Sequence, residues 1–97
     1  MIKFKYKPLP YGLTIAESPI NGLGLYATKT ILSQSMLGIT HGIFHNQIWR
    51  SPLGGFINHA DKPNCQLIMA DHLFHLKTID NIQPGTELTV HYSLEQQ

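Results

Sequence analysis

The sequence predicts a mostly β domain. Three observations carry this. No run of ten or more residues keeps a helical period. Short apolar stretches recur along the chain, and clusters of Pro, Gly, Asn and Ser separate them.

The elements follow in order. Ile2, Phe4 and Tyr6 alternate with Lys3, Lys5 and Lys7, the pattern of a half-buried strand with a charged outer face, and Pro8 and Pro10 end it. Leu13 to Ala16 forms a second short strand. Ser18-Pro19-Ile20-Asn21-Gly22 is a turn, and Leu23 to Ala27 is a strand interrupted by Gly24. Residues 28–35 are polar and read as a turn; Met36 to Phe44 is extended. Asn46 to Arg50 is too short to assign, and residues 51–55 read as a loop. Gln66 to Met69 and His72 to Ile79 are strands joined through Ala70-Asp71. Pro84-Gly85 suits a type II turn with glycine at the left-handed position, and Leu88 to Tyr92 forms the final strand. Glu95 to Gln97 are expected to fray.

The 97 residues fit one domain spanning 1–97, with no internal repeat or low-complexity segment. Only 13% of them are charged and the formal net charge is +1, so no strong electrostatic pull toward nucleic acid or an anionic membrane is expected. A surface this neutral makes a homodimer as reasonable an expectation as a monomer. Cys65 is the single cysteine, which excludes an intrachain disulfide and is consistent with a reducing compartment. The N-terminal residues lack the apolar core of a signal peptide, and no stretch approaches the ~20 apolar residues of a membrane span. The expectation is a soluble, cytoplasmic or otherwise intracellular protein.

Several constellations can carry chemistry. Gly22-x-Gly24 lets backbone approach a ligand, but a dinucleotide fingerprint needs a third glycine where Ala27 stands; a kinked strand is the plainer reading. Asn58-His59 with Pro63-Asn64 offers donors and acceptors at the end of the apolar Phe56-Ile57 lead-in. Taken alone, asparagines that cap their own loop are the plainer reading. Six histidines invite a metal reading, yet none falls at a zinc-like spacing with a cysteine or carboxylate, and no metal site is assigned. Cys65 reads as a small core residue rather than a nucleophile. Tyr92 gains interest only beside Asn58-His59.

Taken in order, these segments resemble the SET domain family of protein-lysine methyltransferases. Asn21-Gly22-Leu23-Gly24-Leu25-Tyr26-Ala27-Thr28 resembles its first motif. Phe56-Ile57-Asn58-His59-Ala60-Asp61-Lys62-Pro63-Asn64-Cys65 resembles its Asn-His-Ser-Cys-x-Pro-Asn motif. Ile82-x-Pro84-Gly85-Thr86-Glu87-Leu88-Thr89-x-x-Tyr92 resembles its closing motif. The match runs from about residue 12 to residue 94.

The resemblance implies a β-clip fold of small curled sheets, with a C-terminal pseudoknot that sets Asn58-His59 beside Tyr92. It implies S-adenosylmethionine as cofactor, held by Gly22, Leu23, Gly24, Leu25, Tyr26, Asn58 and His59. Tyr92 is then the catalytic residue, and the substrate is a protein with an accessible lysine. The chain departs from the pattern at Ala60 and Asp61, which stand where many members have Ser and Cys, and at Val90-His91, which replaces an aromatic-Asp pair. The zinc that some members hold with that cysteine and three C-terminal ones is therefore not expected. The middle-motif tyrosine is not evident near Met36-Leu37-Gly38, the insert between residues 45 and 55 is small, and a partner subunit is expected to roof the lysine channel. The alternative function is a catalytically inactive SET-like module that binds a peptide or partner.

Overall fold

The computed structural model describes residues 9, 10 and 12–91. The strand expected over Ile2–Tyr6, the site residue Tyr92 and the terminal residues 93–97 lie outside the described residues.

Eight strands and one short helix make up the described part. They are β1 (Leu13–Glu17), β2 (Leu23–Ala27), β3 (Met36–Phe44), β4 (Gln47–Arg50), α1 (Pro52–Phe56), β5 (Asn58–His59), β6 (Cys65–Ala70), β7 (Leu73–Thr78) and β8 (Glu87–Val90). They form two four-stranded sheets, ordered β1-β2-β8-β5 and β4-β3-β7-β6. The prediction of a mostly β domain built from small sheets holds.

The second sheet is two hairpins side by side. β3 and β4 are joined by His45-Asn46, β6 and β7 by Asp71-His72, and all four turn residues have positive φ, between 50° and 66°. A two-residue loop with both centres left-handed matches the twist of the flanking strands. None of the four is glycine; the first turn goes unmarked in the sequence, and the second lies one residue beyond the expected Ala70-Asp71 connection. β4, left unassigned above, is exposed at every position. Its pairing with β3 in register (Phe44↔Gln47 through His41↔Arg50) is reinforced by Trp49, whose ring stacks on Phe44 at 6.1 Å between centroids.

Residues 51–55, expected as a loop, wind into α1 instead. Two glycines make this a poor helix by propensity. Ser51 compensates as N-cap: its Oγ accepts the Gly54 N–H at 3.3 Å, and Pro52 occupies the first turn. The same Oγ donates to the Ile39 carbonyl, which ties the helix to β3. Gly54 lies so close to β3 that a Cβ there would run into the Thr40 carbonyl.

The first sheet assembles from distant pieces. β2 pairs antiparallel with β8 (Leu25↔Leu88), and β8 pairs parallel with β5 (Asn58↔Thr89, His59↔Val90). Ile31 and Ile82 exchange both backbone hydrogen bonds, at 2.8 and 2.7 Å, and so hold together the connections on either side. The Pro84-Gly85 turn forms as expected: Gly85 has φ +85°, and the Thr86 N–H donates to the Gln83 carbonyl.

One apolar cluster draws on both sheets. Leu25, Leu88 and Val90 come from the first, Leu76 and Cys65 from the second, Leu53 from α1, and Ile31 and Ile82 from the connections. Among the described residues no helix is long and apolar enough to cross a membrane. Leu88 is fully buried at the junction of β2, β5 and β8. Leu88→Ala should therefore cost about 2–5 kcal/mol, read as a lower urea midpoint. Leu32→Ala, at a side chain 66% exposed, should stay within ~0.5 kcal/mol of the parent.

Candidate functional site

The predicted site residues among those described sit on or beside two strands of the first sheet, β2 and β5. Gly22 precedes β2; Leu23, Gly24, Leu25 and Tyr26 lie on it; Asn58 and His59 are β5. β8 runs between β2 and β5, so the two groups converge across it.

The convergence is made by a residue to which the sequence reading assigned no role. Glu87 opens β8, and its carboxylate reaches back toward β2 and β5. Ser18 Oγ lies 2.9 and 2.8 Å from its two oxygens, and Asn58 Nδ2 donates to Oε2 at 2.8 Å. The Asn58 amide nitrogen also lies 3.2 Å from Ser18 Oγ and from the Asn21 and Leu23 carbonyls. Two amide hydrogens are thus shared among four acceptors, and the charged one makes the shortest contact. This locks the 18–23 turn to β5.

Gly24 is explained by the same carboxylate. A Cβ at position 24 would collide with Glu87 Oε2 and sit 3.1 Å from Asn58 Nδ2. Gly22 has a different reason. Its φ is +47°, and among the described residues nothing lies within 4 Å of where a side chain would project. Tyr26 donates its hydroxyl to the Glu17 carbonyl at 2.7 Å. Desolvation, then the nearby Glu87 charge, raises its pKa above the usual phenol value and keeps it a donor. The Leu25 side chain is fully buried, so only its backbone can serve a ligand.

Asn64 is the second residue whose role the sequence did not reveal. Its Nδ2 donates to the Glu87 carbonyl at 2.9 Å, and its Oδ1 accepts from the Thr89 N–H at 2.9 Å. Rather than capping its own loop, this side chain copies a neighbouring strand and fastens the 60–64 loop onto β8. The signal in the sequence is its place in the Pro63-Asn64 motif, not any local turn pattern.

His59 stays half exposed and its ring lies 4.7 Å from that of His91. His91 stands at the surface beyond β8. The described residues include two further clefts, and neither is lined by a predicted site residue. One of about 250 Å³ is bordered by Lys29 to Leu32, Ser35 and Leu37, the other of about 370 Å³ by Ile43 to Asn46 and His72.

Cys65 is fully buried. Burial pushes its thiol from the ordinary 9.0 up to about 12, which removes thiolate chemistry near neutral pH.

The chain matches the family model described as SET domain over residues 41–93, more than half its length, and it belongs to that family. Solved structures agree in fold. A Plasmodium falciparum histone methyltransferase candidate superposes with a TM-score of 0.72 at 18% identity, covering 86% of this chain and 94% of its own. The methyltransferase domain of human PR domain-containing protein 2 gives 0.68 at 21% identity, covering 92% and 82%. The SET domain of the RIZ1 tumor suppressor gives 0.71 at 21%, covering 93% and 74%.

Two measurements check this site. In Glu87→Gln the replacement amide must face donors from Ser18 and Asn58. The loss should be about 1.5–3 kcal/mol by chemical denaturation, with weakened protection of the Asn58 side-chain amide in hydrogen exchange. For Cys65, the folded thiol holds its proton more tightly than the unfolded one. Its contribution to stability is therefore complete below pH 9 and lost as pH rises toward about 12. The stability difference between the parent and Cys65→Ala should shrink across that window, and the folded thiol should resist alkylation at pH 8.

Proposed function

We propose that this chain is an S-adenosylmethionine-dependent protein-lysine N-methyltransferase. The observation that carries the reading is the locking of the Gly22–Tyr26 segment to Asn58 through Glu87, on the strand that leads into Tyr92. Membership of the SET domain family supports it, as do structural neighbours whose own descriptions name methyltransferases.

The residues present fit the cofactor. Gly22 leaves open the space a Cβ would fill, Leu23 is 47% exposed, and His59 reaches solvent. The backbone of Gly22 to Tyr26 together with Asn58 and His59 would hold it. When bound, this cofactor supplies a methyl group activated on a sulfonium. The chain's own part is alignment. In-line displacement requires a neutral lysine amine, and a narrow channel excluding water disfavours the charged ammonium. The Tyr92 hydroxyl would orient that amine at the transfer point. The parallel β5–β8 pairing, bridged by Asn64, is consistent with β8 threading beneath the 60–64 loop as a pseudoknot.

The test has two readouts. Calorimetry should detect binding of S-adenosylmethionine, and a lysine-rich protein should gain radiolabelled methyl groups. Tyr92→Phe should bind the cofactor as the parent does while losing about 100-fold in kcat. Absence of cofactor binding at millimolar concentration overturns the reading. Partner binding that ignores Tyr92→Phe, without methyl transfer, establishes the inactive binding module in its place.

A further inference from the structure

We propose that His59, Asp61 and His91 form a surface site for a divalent transition ion of the zinc type. This goes beyond the methyltransferase reading and shares His59 with the cofactor contacts named there. The three residues are scattered in the sequence, and no zinc-like spacing links them. The parallel β5–β8 ladder brings them together: His59 pairs with Val90, so His91 is the next residue along the partner strand. One donor atom from each residue lies within 4.8 Å of the others. His59 Nε2 is 3.9 Å from Asp61 Oδ1.

Ligand chemistry and the surrounding scaffold both fit. Two imidazoles and one carboxylate are a donor set for zinc and its neighbours, with positions left for water. A four-coordinate ion holds its donors about 2.0–2.2 Å away, so the three must close in by about an ångström. All three side chains reach solvent, and Asp61, 97% exposed, has the room to swing toward the imidazoles. The backbone beneath them is held in place. The Ala60 N–H donates to the Val90 carbonyl at 2.9 Å, and Asn64 fastens the far end of the loop. His91 Nδ1 faces the Ala60 carbonyl at 3.4 Å. With the proton on Nδ1, the Nε2 lone pair is left for an ion, the carbonyl–histidine arrangement common around bound metals.

The experiment titrates Zn²⁺ into the untagged full chain by calorimetry, with Co²⁺ in parallel for its visible absorption. One equivalent is expected to bind, with the His59 and His91 ring signals shifting together in NMR spectra. His91→Ala and Asp61→Asn should each weaken binding at least ~10-fold. His45→Ala and His72→Ala, at histidines elsewhere on the surface, should leave it unchanged. Circular dichroism of each variant confirms folding. No saturable binding, or binding that survives His91→Ala and Asp61→Asn but falls with the other pair, overturns the proposal.

Discussion

The Glu87 carboxylate organises the first sheet. A carboxylate at the start of a strand would ordinarily turn to solvent, where its hydration is best satisfied. Here it turns inward over β2, where Ser18 and Asn58 replace water as donors. Three distant stretches of chain meet at this group, and the demands made on each follow from it. Position 24 must lack a side chain, position 58 must carry an amide, and the turn before β2 must present a hydroxyl. Charge-assisted hydrogen bonds inside a partly buried site are stronger than neutral ones and cost more when one partner is lost. The three requirements are therefore coupled: removing one partner strands the others.

Asn64 does for the opposite side of β8 what Glu87 does for its beginning. β5 has only two residues and cannot by itself hold a strand in place. The side-chain amide of Asn64 extends the ladder by one mock peptide, so β8 is gripped by the loop as well as by β5. The strand that leads to Tyr92 is thereby positioned by long-range contacts on each side. That arrangement accounts for polar residues where a core strand would be apolar.

Much of this was legible from the sequence, and the gaps have physical causes. Short apolar stretches bounded by turn clusters, with the Pro-Gly turn, identified most strands, since burial and a left-handed glycine leave marks in the chain. β4 left none, because every residue in it is exposed and no alternation arises. The His45-Asn46 turn was hidden and the Asp71-His72 turn was placed one residue early, because both adopt left-handed backbone without glycine. α1 depends on a cap and on tertiary contact, against the propensity of its two glycines. At the site, the order of the motifs brought Gly22 to Tyr26 and Asn58 into one group. The role of Glu87 was not readable, because a glutamate among strand residues looks like a solvated face until its partner strands are known. The His59, Asp61 and His91 cluster depends on the parallel β5–β8 register, which spacing along the chain does not encode.

The placement of β8 also bears on how the molecule comes to be folded. Leu25 emerges early in synthesis, yet its partner Leu88 is made sixty-three residues later, after every other described strand. The hairpins of the second sheet can close locally as they are made. The β1–β2 pair can form early as well, but its β2 edge and the apolar cluster beneath it must wait for β8. Contacts of such long sequence separation slow folding and leave apolar surface exposed meanwhile. Completion of the fold is thereby tied to the last strand in the described chain, and the open edge of β2 is the surface most exposed to mispairing before it docks.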